Sequence, residues 1–159
     1  MKRKVEDWSV ERLHKERGQL SFPEYQRQPN LWSTEKKSLL IDSILRGIDI
    51  PKLYFNRTDD GYEVVDGQQR LWALWEFLDD AYVYKDQGRA RRFSSLSRTQ
   101  REAITKYELQ VVIVQDADDE YLRQLFLRLQ LGLLLITGEK LNAASGAMKE
   151  FIFGKLALI

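Results

Sequence analysis

Leu109 to Val114 reads Leu-Gln-Val-Val-Ile-Val, an apolar run rich in β-branched residues. Branching at Cβ suits a pleated sheet better than a helix, so this run is expected to be the core strand of the fold. Gln19–Phe22, Lys52–Asn56 and Tyr62–Val65 also read as strands, the last two joined as a hairpin through Asp60-Gly61. Helices are expected behind Ser9 as cap, with Val10 and Leu13 inward and Gly18 ending the turn. A second starts at Ser33 or Thr34, carries Leu40, Ile44 and Leu45, and stops at Gly47. A third runs from Arg98 to Lys106 behind the Ser97–Gln100 capping box. Further helices are expected from Asp116–Asp119, carrying Leu122, Leu125, Phe126 and Leu129, and from Glu139 onward. Short strands alternating with helices, with no repeat or linker, predict an α+β fold, with 1–159 as a single domain around one core. The apolar ending Leu156-Ala157-Leu158-Ile159 asks for a partner surface. The expectation is a chain that forms a homodimer or is truncated at its C-terminal end.

Composition excludes more chemistry than it admits. The 159 residues hold no cysteine and one histidine, His14. Thiolate nucleophiles, disulfides, cysteine-based zinc sites and nuclease centres built on several histidines are therefore excluded. Lys and Arg number 25 against 24 Asp and Glu, a net charge of +1 that argues against binding nucleic acid by bulk attraction while leaving local basic patches open. The N-terminal Met-Lys-Arg-Lys has no apolar segment behind it, and Leu125–Ile136, interrupted by Arg128 and Gln130, is too short to span a bilayer. A soluble cytoplasmic protein with no membrane association is expected.

The most informative segment is Val65-Asp66-Gly67-Gln68-Gln69-Arg70-Leu71, in which a strand passes directly into a helix striped with Leu71, Leu74, Trp75 and Leu78. A helix N-terminus offers unpaired N–H groups and a partial positive charge to an anion such as phosphate. Gly67 lets the backbone approach a ligand, Arg70 adds a two-pronged donor, and Gln68 and Gln69 add neutral amides. Asp66 suits a divalent cation that bridges phosphates, or the orientation of an arginine. The same residues also suit a plain helix cap followed by a surface arginine.

Elsewhere the bland and the functional readings stand side by side. Tyr25-Gln26-Arg27 sits in a loop after Pro23, either as ordinary solvated chain or as part of a site. The basic run Lys85, Arg89, Arg91 and Arg92 suits a nucleic-acid patch or a solvated loop. His14 falls on a charged helix face. Trp72 and Trp75 suit the core, or stacking on a base beside a phosphate site.

Taken in order, Phe22-Pro23-Glu24-Tyr25-Gln26-Arg27, Leu31-Trp32, Ile41–Gly47 with Ile50-Pro51, and Val65–Leu71 resemble the N-terminal domain of the GmrSD-type restriction systems. The stretches Leu125–Gly132 and Gly138–Ala143 are similar to a later motif of that family, so the resemblance runs from about Trp8 to Phe153. It implies a ParB/sulfiredoxin-like fold, a small mixed sheet with surrounding helices. It also implies a nucleoside-triphosphate site, with hydrolysis coupled to bacterial DNA restriction or anti-phage defence. Carried over by position, Gln26 and Arg27 would face Asp66, Gly67, Gln68, Gln69 and Arg70 across a phosphate pocket, with Arg128 and Gln130 on its far side. Asp66 and Arg70 would be the catalytic pair and Asp66 the magnesium ligand, so the cofactor expected is Mg2+ carried with the nucleotide.

The expected activity is thus phosphoric-anhydride hydrolysis, with no nuclease centre in this chain. The partners would be a nucleoside triphosphate, DNA, and a nuclease subunit or a second copy. The alternative is a non-hydrolysing, ParB-like module that binds DNA or docks a partner. Arg70→Ala is expected to abolish nucleotide binding and leave the fold in place.

Overall fold

The computed structural model describes residues 1–23 and 32–132. The chain divides into two compact units, Met1–Asp116 and Ala117–Ile159. In chain order the first unit contains β1 (Lys2–Ser9), α1 (Val10–Lys15), β2 (Leu20–Ser21), α2 (Thr34–Leu45), β3 (Leu53–Thr58) and β4 (Gly61–Asp66). It continues with α3 (Gln68–Leu78), β5 (Tyr84–Asp86), β6 (Arg89–Arg91), α4 (Arg98–Thr105) and β7 (Glu108–Gln115); α5 (Asp119–Leu131) belongs to the second unit. The fold is α+β, as the alternation of patterns predicts. Among the described residues, no helix is long and apolar enough to cross a membrane.

Five strands form one mixed sheet in the order β1-β7-β3-β4-β2. The Leu109–Val114 run is its buried strand: β7 has four consecutive buried residues, Val111 to Val114, so both of its faces are covered. β3 pairs with β7 in parallel, Leu53 opposite Val111, and with β4 as the antiparallel hairpin expected around Asp60-Gly61. Gly61 is required there. Its φ is +148°, and a Cβ would lie 2.4 Å from the carbonyl oxygen of Gln19. β2 contributes two residues, parallel to β4, in place of the four-residue strand expected at Gln19–Phe22; Arg17–Gln19 instead forms a 3-10 turn.

Helix signals hold at their starts. Ser9, Ser33, Ser97 and Asp118 cap α1, α2, α4 and α5 with their side chains, and Ser97 and Gln100 form the predicted capping box. The core joins Trp8, Leu13, Ile41, Ile44, Leu53, Phe55, Leu71, Leu74, Phe77, Ile104 and Ile113. Two elements carry no strand signal in the sequence. Five of the eight residues of β1 are charged, and it buries only Trp8. The basic run folds as the β5–β6 hairpin, with Gln87 at φ +48° and Gly88 at φ +83° in its turn. The helix expected from Glu139 lies outside the described residues.

Helix α3, whose N-terminus follows the motif, is anchored at its other end. Asp79, its C-cap residue, receives Arg17 Nη1 at 2.9 Å, and His14 Nε2 lies 2.9 Å from its Oδ1. Arg17 Nη1 also lies 2.9 Å from His14 Nε2, a nitrogen that cannot donate to Asp79 and accept from Arg17 in the same tautomer. Hydrogen bonding from His14 first, and from Arg17 next, holds the Asp79 carboxyl below its ordinary value. A lowered carboxyl stabilises the fold above its unfolded value of 3.8, and that contribution is lost as pH falls through the folded value. The side chain is 48% exposed, so the effect is small. Asp79→Asn is therefore expected to melt slightly lower than the parent at neutral pH and to show a shallower loss on acidification. Melting curves across a pH series check this, and parallel curves for the two proteins would contradict it.

Candidate anion site at the start of helix α3

β4 ends at Asp66 and α3 begins at Gln68, leaving Gly67 alone to turn the chain. Gly67 has φ +118° and ψ 8°, a left-handed conformation that side chains resist. A Cβ there would lie 2.3 Å from Leu53 Cδ2 and 3.5 Å from Arg70 Nη2. Glycine is thus demanded by backbone conformation and by packing at once. As the N-cap residue it brings no side chain of its own to the helix start, unlike the serine and aspartate N-caps elsewhere in the fold. The first N–H groups of α3 lie at the positive end of the helix dipole.

Arg70 folds back over this turn. Its Nη2 donates to the carbonyl oxygen of Lys52 at 2.9 Å and to Asp66 Oδ2 at 3.0 Å, which ties the start of β3 to the end of β4. The side chains of Arg70 and Asp66 are 14% and 18% exposed. The surface arginine of the bland reading is therefore a largely buried, paired one. Two buried donors here have no hydrogen-bond partner among the described residues: Arg70 Nε and Gln68 Nε2. Gln68 is only 6% exposed. A buried amide hydrogen left unpaired costs about 1–3 kcal/mol, so its retention calls for a group that satisfies it.

The structure brings Asp66, Gly67, Gln68, Gln69 and Arg70 together as one continuous turn. Gln26 and Arg27 lie outside the described residues. Arg128 and Gln130 lie on α5 in the second unit, both exposed. Trp75 donates its Nε1 to the carbonyl oxygen of Leu13 at 3.0 Å, and Trp72 packs against Phe22 with ring centroids 5.7 Å apart. These contacts favour the core reading for Trp75, which packs against the core, and give Trp72 an aromatic neighbour in Phe22. In the basic run, Arg92 donates to the carbonyl oxygen of Asp80, while Lys85 Nζ lies 3.8 Å from Glu35. Two contributors carried no signal of their own. The Lys52 carbonyl is a backbone group that any residue would supply. Leu53 is recognisable as a core residue, but its place under Gly67 depends on how β3 and β4 pair.

Among the described residues, no group of three or more His, Asp or Glu side chains could hold a metal ion. Asp66 is one hard oxygen donor whose charge is already balanced by Arg70. That suits a magnesium ion held chiefly by phosphate oxygens and water, and does not suit a protein-built cage.

Comparison with known proteins finds that the family described as GmrSD restriction endonuclease, N-terminal domain, matches residues 10–143. No curated protein matches. Among solved structures, the chain is similar to the C-terminally truncated chromosome-partitioning protein ParB from Caulobacter crescentus, complexed with CTP-gamma-S. The TM-score is 0.43 and the identity 11%, over 95% of this chain and 85% of that one.

Proposed function

The chain belongs to the GmrSD restriction endonuclease N-terminal domain family, and on that premise we propose that it binds the polyphosphate of a nucleoside triphosphate at the Asp66–Arg70 turn and hydrolyses it in a DNA-restriction context. The observation that carries this reading is the buried, unpartnered Nε2 of Gln68 in the first turn of helix α3, behind a glycine N-cap. Phosphate oxygens accept from backbone N–H groups and from amide and guanidinium donors alike, and the helix dipole favours their charge.

In this proposal the N–H groups that follow Gly67 cradle the phosphates, with Gln68 Nε2 and Arg70 Nε as side-chain donors. Gln69 adds a neutral amide beside them. Asp66 would take a place on a magnesium ion brought in by the nucleotide, which would neutralise charge on the phosphates. Hydrolysis needs no covalent intermediate. A water oxygen bonds to the γ-phosphorus as the bond from that phosphorus to the β–γ bridging oxygen breaks, the diphosphate leaves, the water's proton passes to the released phosphate, and Arg70 stabilises the charge that develops.

One observation favours a second reading. The Asp66 carboxylate is already engaged by Arg70 at 3.0 Å, which suits a residue that positions a phosphate-binding arginine better than one that activates water. On that reading the domain binds nucleotide without turnover and gates DNA or a partner.

Phosphate release with magnesium, measured for each of the four triphosphates with and without DNA, separates the two. Release that is lost in Arg70→Ala supports hydrolysis. Saturable nucleotide binding without release supports the gating module. Neither binding nor release would overturn both readings.

A further inference from the structure

β1 occupies the edge of the sheet, hydrogen-bonded along its whole length to β7 from Lys2 opposite Gln115 to Ser9 opposite Glu108. Every second residue of such a strand turns its N–H and C=O away from the sheet, and no described strand pairs with them. Eight residues is long for an unprotected edge. Charge usually serves to blunt such an edge, but here the charges are ordered: Lys2-Arg3-Lys4 is basic and Glu6-Asp7 acidic, with Val5 between them at 45% exposure.

From that order we infer that β1 pairs antiparallel with β1 of a second copy of this chain, joining two five-stranded sheets edge to edge. With Val5 opposite the copy's Val5, Arg3 meets the copy's Asp7 and Lys4 meets the copy's Glu6. The two-fold axis repeats both pairs. The faces agree as well. Lys4 bonds Glu6 at 2.8 Å and Trp8 donates to Glu6 at 2.8 Å, which places these three on one face and Arg3, Val5 and Asp7 on the other. The antiparallel register thus sets Lys4 and Glu6 against their opposites on one face, and Arg3 and Asp7 on the other. A parallel copy would set like charge beside like, so the same side chains select the partner and its direction.

Sedimentation of the whole chain and of two charge variants tests this. The parent is expected to be a dimer. Arg3→Asp makes the exposed face of β1 wholly acidic and Asp7→Arg makes it wholly basic, so each variant alone should dimerise about tenfold more weakly or worse. An equimolar mixture should recover the dimer, because each chain then offers what the other lacks. That recovery also shows that both variants are folded. A monomeric parent, variants that stay dimeric, or a mixture that stays monomeric would each overturn the inference. So would a monomeric parent whose outward β1 amides exchange slowly with deuterium, since its own chain would then cover the edge.

Discussion

Gly67→Ala is expected to be among the most damaging single-methyl changes in the described fold, lowering the melting midpoint by roughly 4–24 °C at about 2–4 °C per kcal/mol. Two independent costs meet at this atom. The backbone sits at φ +118°, where a side chain costs about 1–3 kcal/mol. The new methyl would also lie 2.3 Å from Leu53 Cδ2, and Leu53 is fully buried, so relief must come from the core at about a further 1–3 kcal/mol. Gly18, with nothing within 4 Å of its ideal Cβ and no strained φ, is the internal control. Gly18→Ala should change the midpoint little. Thermal melts of the two variants side by side decide the matter, and equal midpoints would show that the β4–α3 turn does not demand glycine at position 67.

The second large effect is expected at Arg70 and Gln68, where two substitutions should move stability and binding differently. Arg70→Ala deletes two hydrogen bonds and leaves the largely buried Asp66 carboxylate without its ion pair, a cost of about 2–4 kcal/mol. Loss of nucleotide binding in that variant would therefore be accompanied by a weakened fold, contrary to the expectation from sequence that the fold is untouched. Gln68→Leu keeps the volume and removes an amide hydrogen that has no partner among the described residues. Stability should hold or rise by about 1 kcal/mol, because an unpaired buried donor has been replaced by carbon. Triphosphate affinity should fall by roughly ten- to a hundredfold, as expected for one lost hydrogen bond to a charged group.

Much of this arrangement is legible in the residues themselves, and the exceptions have physical causes. The helix starts at Ser9, Ser33, Ser97 and Asp118 are readable because capping is local chemistry between residues three apart. β7 is readable because Val111–Val114 has only one plausible use. β1 is not, since an edge strand gains its conformation from the eight-residue ladder to β7 and has little apolar surface to hide. The β5–β6 hairpin hides its turn at Gln87-Gly88 inside what reads as a basic loop. At the candidate site, Gly67 announces the turn and the contiguity of Asp66 to Arg70 makes the motif visible. Two further facts depend on tertiary packing: the burial of Gln68 to 6% exposure, and the grip of Arg70 on the Lys52 carbonyl. No pattern of neighbouring letters encodes which backbone oxygen comes within reach.

The most direct test is an equilibrium titration of magnesium triphosphates against the intact chain and against Gln68→Leu, with melting curves recorded for both proteins. The expected result is saturable binding by the parent, affinity at least about tenfold weaker in the variant, and a melting midpoint in the variant equal to or above that of the parent. Equal affinity in the two proteins, or no binding of any triphosphate by the parent, would contradict a phosphate site at the start of helix α3.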